Sequence, residues 1–168
     1  GTVAFANPNP RTLEVTNSPS AIINWQSFDI GARETTRFIQ QNAASTVLNR
    51  VTTGNSSEIL GSLLSNGRVF LINPAGILIG REGSVDTAGV LLSTLQIDDQ
   101  DFLQGKLAFN AEPGSAGIVN QGYIKTAPGG EVVLIAPRIE NGANAVIESP
   151  NGDLVLAAGS SITIASLD

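Results

Sequence analysis

Three aspartates near the middle of the chain have the types and spacing that could do chemistry. Asp98, Asp99 and Asp101 form the densest acidic cluster in the sequence. Closely spaced carboxylates suit Ca²⁺, and a pair of them can cleave a glycosidic bond as general acid and base. The cluster lies between Ile97 and Phe102, in a pattern that indicates a solvated loop or an extra hairpin. A glycan-cleaving site is therefore a rival hypothesis rather than the main one.

The composition excludes several other kinds of site. The chain has no His and no Cys, so it lacks the usual general base, a catalytic thiolate and zinc–sulfur ligands. Its net charge is −6, and no Lys/Arg cluster is present that would bind a phosphate backbone. No apolar run approaches the roughly 20 residues that span a bilayer. We expect no cofactor, no metal and no nucleic-acid partner.

Residues 66–80 have the pattern of an apolar strand, a tight corner and a second apolar strand. Positions 69–72 are Val-Phe-Leu-Ile, which is too short for a helix and is flanked by turn formers. Positions 73–76 are Asn-Pro-Ala-Gly, and this order fits a β-turn because Pro fixes φ early and Gly tolerates unusual φ near the end. Pro74 has no N–H, so it cannot continue a central strand. Strands that are apolar throughout predict a core with flat sides.

The rest of the chain also indicates β-structure. It has 18 Gly, 5% aromatic and 14% charged residues, which is typical of short strands joined by corners. Ile23, Trp25 and Phe28 are predicted to point inward from one of these strands. The predicted strands cover residues 12–16 (as an edge strand), 21–28, 35–40 and 46–51.

Two segments are predicted to differ from this pattern. Residues 57–64 are predicted to form the chain's one helix, because Glu58 would lie in its first turn and the apolar residues 59, 60, 63 and 64 would share one face. The Asn-Pro-Asn-Pro sequence at 7–10 precedes the first predicted strand and is interpreted as a loop.

One sequence motif occurs three times from residue 66 onward. Residues 66–72, 129–135 and 151–157 each contain Gly, a charged residue and then four apolar residues. The last two copies are 22 residues apart, and the first two are 63 apart, which equals three steps of 21. Two further repeats are present: residues 118–122 resemble 139–142, and residues 123–126 resemble 146–149.

A period of 21–23 residues with short apolar strands and Gly/Asn corners predicts a β-solenoid. A leucine-rich repeat would need a fixed Leu spacing, and a jelly roll would not repeat at a fixed period. The predicted fold is all-β, a three-sided parallel β-helix of about seven coils with extra-helical hairpins or loops. Because both ends of such a stack are open edges, residues 1–20 are predicted to cap it. Residues 21–168 would form the coils of this single domain, and the chain would continue beyond them.

Several motifs together resemble a known family. They are Ala-Ile-Ile-Asn-Trp-Gln-Ser-Phe-Asp-Ile at 21–30, Leu-Asn-Arg-Val-Thr at 48–52, Gly-Ser-Leu at 61–63, the stretch 69–77, Ser-Thr-Leu at 93–95 and Ile-Val-Asn-Gln-Gly at 118–122. Over residues 10–165 the chain resembles the N-terminal secretion domains of two-partner-secretion exoproteins of the filamentous haemagglutinin type. The similarity is greatest to the high-molecular-weight adhesin and haem-acquisition branch. Ala75 departs from the family's Asn-Pro-Asn-Gly turn.

The resemblance implies a right-handed parallel β-helix that is not an enzyme. It implies export through the periplasm of a Gram-negative bacterium to the cell surface or beyond. The implied partner is an outer-membrane β-barrel transporter, whose periplasmic domains would recognise a monomeric secretion domain. The domain would then nucleate folding of a long β-helical passenger, because an open final coil is a template for further coils.

The resemblance also selects candidate residues for transporter recognition, each of which could instead be structural. Residues 73–76 could be a contact or only a corner. Asn24, Trp25 and Phe28 could be contact or core residues. Asn49 and Arg50 could have either role, and Arg50 could anchor an acidic or carbonyl partner. A carbohydrate- or receptor-binding adhesin module is a third hypothesis, although one Trp and one Tyr offer no aromatic platform. The candidates are Asn73, Pro74, Ala75, Gly76, Ile77, Asn49, Arg50, Val51, Asn24, Trp25 and Phe28.

Overall fold

The computed structural model describes residues 1–165, which form short β-strands and one short helix. In chain order these are β1 (Val3–Asn9), β2 (Thr12–Asn17), β3 (Ala21–Trp25), β4 (Thr35–Ile39), β5 (Thr46–Val51), β6 (Ser57–Ile59), β7 (Ser62–Ser65), β8 (Arg68–Ile72), β9 (Ile77–Ile79), β10 (Ser84–Thr87), β11 (Gly89–Ser93), β12 (Gln96–Ile97), α1 (Asp99–Leu103), β13 (Leu107–Asn110), β14 (Ile118–Asn120), β15 (Tyr123–Thr126), β16 (Val132–Ala136), β17 (Ile139–Asn141), β18 (Val146–Glu148), β19 (Leu154–Ala158) and β20 (Ser161–Ile164).

The strands build a three-sided parallel β-solenoid, as predicted. Sheet A has the order β1-β2-β4-β7-β10-β15-β18, sheet B the order β3-β5-β8-β11-β16-β19, and sheet C the order β6-β9-β14-β17. From β4 onward the chain visits sheets A, B and C in turn. The strand pairs of the solenoid are parallel except for β1 with β2. Sheet B contributes one strand per coil, so the described chain forms about six coils.

The repeats found in the sequence stack on one another in this structure. Leu71 of the first copy pairs with Leu92, which pairs with Leu134, and this residue pairs with Leu156. The repeated segments that begin at 118 and 139 also pair in register, since Ile118 pairs with Ile139. The repeated motif therefore forms the sheet B side of the coils.

The predicted spacing of the repeats is wrong in one place, and for the same reason residues 1–165 form about six coils rather than the expected seven. Val69 and Val90 are register partners 21 residues apart, whereas Val90 and its next partner Val132 are 42 apart. The 63 residues thus contain two coil steps and not three. The difference is an excursion outside the solenoid, formed by β12, α1 and β13, which we call the flap. The sequence predicts it only as an extra hairpin or loop.

The central strands of sheet B, β8, β11 and β16, are buried on both faces, which explains why they do not alternate between apolar and polar residues. Val69 and Leu71 lie in the solenoid interior. Phe70 and Ile72 lie on the outer face, where they pack in a second cluster with Phe109 of the flap. The predicted flat-sided core therefore has two layers, one inside the solenoid and one beneath the flap.

The predicted helix at 57–64 is wrong. Ser57–Ile59 is β6 and Ser62–Ser65 is β7, with a corner between them. A Cβ on Gly61 would lie 2.2 Å from the carbonyl oxygen of Glu34, so the corner passes too close to the neighbouring coil for any other residue. Two short strands around a corner have the same apolar spacing as one helical face. The helix that is present, α1, lies in the flap.

The N-terminal segment also differs from the expectation. Asn7 and Pro8 do not lie in a loop but in β1, which pairs antiparallel with β2. Pro8 is tolerated because β1 is the edge strand of sheet A and the register shifts between Ala6 and Asn9. The strand β2 is not an edge strand, because it lies between β1 and β4.

The last described strand leaves the solenoid. β20 pairs antiparallel with β13, so β12, β13 and β20 form a separate three-stranded sheet on the outside of sheet B. The prediction that the coils continue to the end of the chain is therefore wrong for β20. Residues 166–168, which the same prediction includes, lie outside the described part of the chain. Within residues 1–165 no helix has the length and apolarity needed to cross a membrane.

Candidate functional site

The predicted turn at residues 73–76 lies at the corner between sheets B and C. The N–H of Gly76 donates to the carbonyl oxygen of Asn73 over 3.1 Å, which closes a β-turn around Pro74 and Ala75. Gly76 has a φ of +120°, a conformation that L-residues with a side chain rarely adopt. The turn is therefore built as the sequence predicted.

The side chain of Asn73 is used inside the protein. It is fully buried, and its Nδ2 donates to the carbonyl oxygen of Asn55 and to Oγ of Ser57, each over 2.9 Å. Its Oδ1 accepts from the N–H of Ala75 over 3.0 Å. Asn73 thus ties its own turn to the strand of the preceding coil. No part of this side chain faces solvent in the folded domain.

The remaining turn residues divide into core and surface. Gly76 is buried, and Ile77 is 2% exposed in the solenoid core. Pro74 and Ala75 are partly exposed and form the tip of the turn. The tip is thus the part of the motif that another molecule can reach.

Asn49 occupies an interior position that neighbouring coils fill with apolar residues. It pairs in register with Ile23 on one side and Leu71 on the other, and it is fully buried. Its Oδ1 accepts from Nε1 of Trp25 over 2.9 Å, and its Nδ2 donates to the carbonyl oxygen of Phe70 over 3.2 Å. A buried amide is tolerated here because both of its ends are hydrogen-bonded. Asn49 therefore cross-links three coils.

The aromatic residues near the N-terminal end form one cluster. Trp25 packs edge-on against Phe5 at 5.8 Å and against Phe28 at 5.3 Å between ring centroids. Phe28 in turn stacks on Phe38. Phe28 is buried and Trp25 half-buried, as predicted, whereas Asn24 is exposed and not part of the core. Asn24 is exposed because β3 directs Ile23 inward and the next residue outward.

Arg50 anchors the flap, and it meets both an acidic and a carbonyl partner within the chain. Its Nη1 lies 2.6 Å from Oδ1 of Asp99, and its Nη2 donates to the carbonyl oxygen of Ile97 over 2.7 Å. Its Nε donates to Oε1 of Gln96 over 3.2 Å. Val51, the next residue, is buried. The Asn49-Arg50-Val51 motif thus points one side chain outward to the flap and two inward.

Each of the three clustered aspartates has a structural partner. Asp98 caps the N-terminus of α1, where it accepts from the N–H of Gln100 over 2.8 Å. Asp99 pairs with Arg50, and Asp101 lies 3.3 Å from Nζ of Lys106. Among residues 1–165 there is no group of three or more His, Cys, Asp or Glu side chains that could hold a metal ion. The geometry therefore does not favour the glycan-cleaving hypothesis.

A polar groove of about 600 Å³ lies beside the tip of the turn. It is lined by residues 50–54, 74–75, 96 and 112–114, so separate segments of the chain meet around it. The loop at 112–114 follows the flap and was not selected from the sequence. Its Glu-Pro-Gly sequence predicts a turn but does not indicate which residues lie beside it in the fold. We call this surface the turn groove.

Fold and site together define a class of protein, a β-solenoid domain whose distinctive polar residues hold corners and the flap in place. Comparison with known proteins identifies the family. The model of the TPS (two-partner secretion) secretion domain matches residues 10–167. The chain belongs to this family, which is a family of secretion domains and not of enzymes.

The known relatives support the same assignment. The chain is 41% identical over 81 residues to a heme/hemopexin-binding protein of Haemophilus influenzae, and this match covers 48% of the chain and 9% of that protein. Its fold matches the crystal structure of the HMW1 secretion domain from Haemophilus influenzae with a TM-score of 0.95 and 38% sequence identity. That match covers 99% of the chain and 45% of the HMW1 chain. The predicted branch of the family is thereby confirmed.

Proposed function

We propose that this domain directs secretion by binding the periplasmic domains of a cognate outer-membrane transporter while it passes through the periplasm. The observation that carries the proposal is the agreement with a secretion domain over 99% of the chain at a TM-score of 0.95. The domain would act as a monomer. It provides a recognition surface and a folded β-helix rather than a catalytic group.

We place the transporter contact at the tip of the turn and in the turn groove. Pro74 and Ala75 are partly exposed there, whereas Asn73 is buried and holds the turn from inside. The family's second Asn is Ala75 in this chain, so the contact would use backbone groups and the shape of the turn more than an amide side chain. Asn49 and Arg50 would support the surface indirectly, one through the core and the other through the flap.

We also propose that the domain nucleates folding of a β-helical passenger outside the cell. The last described coil exposes Val146 by 41% and Leu154 and Leu156 by 50% each. The strands β17, β18 and β19 have a pairing partner on one side only within the described chain. Such an edge pairs readily with another strand, so a further coil could add there without an external energy source.

Calorimetry with the periplasmic domains of the transporter tests the recognition proposal. Ala75→Glu adds bulk and charge at the tip, and we expect it to weaken binding at least about tenfold while the circular dichroism spectrum is unchanged. The matched control is Ala143→Glu, at an exposed corner near Arg81 and Asn144 and away from the turn groove. If both variants bind like the wild type, the contact lies elsewhere. If the wild-type domain itself shows no binding at high micromolar concentration, the transporter proposal fails.

A second variant separates a structural role of the turn from a contact role. Asn73→Ala removes three hydrogen bonds and leaves the buried Ser57 hydroxyl without its partner, so we expect a loss of about 2 kcal/mol in the free energy of unfolding. Denaturant titration measures this loss. The folded fraction of Asn73→Ala should still bind the transporter. Lost binding by a folded Asn73→Ala domain would contradict the division of roles.

A further inference from the structure

We propose that the flap and β20 form a latch, which opens and closes as one unit on the outer face of sheet B while the solenoid stays folded. The latch proposal does not rest on transporter binding, and either proposal can fail without the other. Four features of the structure carry it.

The latch shares no strand ladder with the solenoid within residues 1–165. Its three strands pair only with one another, in the order β12-β13-β20, and all these pairs are antiparallel. The solenoid sheets are complete without them. Lifting the latch therefore breaks no hydrogen bond of a solenoid sheet, and units of this kind often open below the free energy of global unfolding.

The two parts of the latch are distant in sequence but joined in space. Phe109 of β13 pairs in register with Ile162 of β20, and the N–H of Ala111 donates to the carbonyl oxygen of Ser160 over 2.8 Å. The strand β20 directly follows β19, the last strand of sheet B. The latch can therefore close only when the final described coil has formed, so closure reports that this coil is in place.

The latch is held to the solenoid by side chains. Phe102 and Phe109 are buried against Phe70, Leu91 and Val133 on the outer face of sheet B. Arg50 adds the polar fastening through its contacts with the start of α1 and the end of β12. When the latch is open, this apolar face of sheet B is exposed to solvent.

The base of the flap is joined to the candidate turn. The N–H of Ala116 donates to the carbonyl oxygen of Pro74 over 2.8 Å, and Oγ1 of Thr94 donates to the carbonyl oxygen of Ala116 over 2.6 Å. Residues 94 and 116 thus hold the two ends of the excursion together. They form a hinge beside the turn groove, so opening of the latch would change one wall of that groove.

Hydrogen exchange of the full chain, read by mass spectrometry, tests the latch. Peptides that cover residues 96–111 and 160–165 should report one common opening free energy, below that of β5, β8 and β11. The proposal is overturned if the two segments open with different free energies. It is also overturned if they exchange only at the rate of the central strands, because the latch would then open only by global unfolding.

Two variants sharpen the test. Ile162→Asp places a charge on the half-buried face of β20, and we expect exchange in 96–111 to rise at least about tenfold although that segment is distant in sequence. Thr163→Asp, at the exposed neighbouring position, should have a much smaller effect. Acceleration confined to 160–165 would contradict the latch.

Arg50→Ala tests the polar contacts that hold the latch to the solenoid. The loss of its charge-assisted bonds should raise exchange roughly ten- to hundredfold in 160–165, which Arg50 does not touch. The control is Arg37→Ala, which removes an exposed ion pair with Glu14 on sheet A. Equal acceleration of β5 and β8 by Arg50→Ala would show that this residue stabilises the solenoid and not the latch.

Discussion

Sheets A and B are both stacks of parallel strands, apart from the antiparallel β1 of sheet A, but their outer faces meet different environments. The outer face of sheet B is covered by the flap, and Leu91 and Ile72 there are fully buried. The outer face of sheet A meets solvent, and its outward column contains Arg37, Leu64 and Asp86 in register. One sheet is thus apolar on both faces, while the other alternates as expected for a half-exposed sheet.

The comparison shows which faces of such a solenoid require particular residues. Inner faces are similar from coil to coil, because Val, Leu and Ile fill most positions of the inward columns, with exceptions such as Asn49 and Thr36. The outer faces differ, since only the covered one requires a particular set of large apolar residues. Substitutions at matched outward positions should therefore have unequal effects on the two sheets.

The largest difference is expected for apolar truncation on the two outer faces. Leu91→Ala in sheet B should lower the free energy of unfolding by about 3 kcal/mol, because it opens a cavity beneath the flap. Leu64→Ala, at an outward and partly exposed position of sheet A, should cost less than about 1 kcal/mol. Denaturant unfolding of both variants measures the difference. Equal losses would contradict the distinction between a covered and an open face.

An intermediate difference is expected for two ion pairs. Arg68 reaches across Gly89 to Glu131, with 3.2 Å between Nε and Oε1, and Glu131 is only 4% exposed. Arg68→Ala would leave that carboxylate buried without its cation, so we expect a loss of roughly 2 kcal/mol in unfolding free energy. On sheet A, Arg37→Ala should cost about 0–1 kcal/mol, because its pair with Glu14 is exposed.

Salt dependence and a double variant refine the ion-pair comparison. The effect of Arg37→Ala should decrease further in high salt, whereas the effect of Arg68→Ala should persist. Replacing Glu131 as well, by Gln, should recover part of the loss caused by Arg68→Ala. No recovery in the double variant would show that the alkyl chain of Arg68 matters more than its charge.

Much of the fold could be predicted because the coil period is visible as repeats in the sequence. The columns through Leu71 and through Ile118 are visible as repeats in the sequence, and the structure places them in register. Strand β5 was predicted with its observed bounds, Thr46–Val51. Regular stacking makes each coil repeat the pattern of the last, and this redundancy makes the prediction robust.

The errors occurred where local pattern and tertiary contact disagree. Residues 57–64 have helical spacing, but a corner at Gly61 divides them into two strands. The flap interrupts the period, so its length was counted as a further coil. Arg50 was selected as a candidate for transporter recognition, whereas its contact with Asp99, 49 residues away, was not predicted because no local signal joins the two residues. Contacts between segments outside the repeat could not be read from periodicity.

The smallest effect concerns a polar contact on the open face of sheet A. The hydroxyl of Tyr123 donates to the carboxylate of Glu148 on the next coil. This hydrogen bond, together with the negative charges of Glu148 and Asp86, raises the pKa of Tyr123 above its ordinary value of 10.0. The contribution of this contact to stability is therefore complete below about pH 10 and is lost as the pH rises through the folded-state pKa.

Because the chain has one Tyr, ultraviolet absorbance can follow this titration directly. The folded domain should titrate above pH 10, and Glu148→Ala should move the midpoint down towards the ordinary value of 10.0. Glu140→Ala is the matched control, since it removes the same charge from sheet C in the same coil. A midpoint that Glu148→Ala leaves unchanged would show that solvent screens this pair. Outward contacts on sheet A would then tune the surface without stabilising the coil, in contrast to the covered contacts of sheet B.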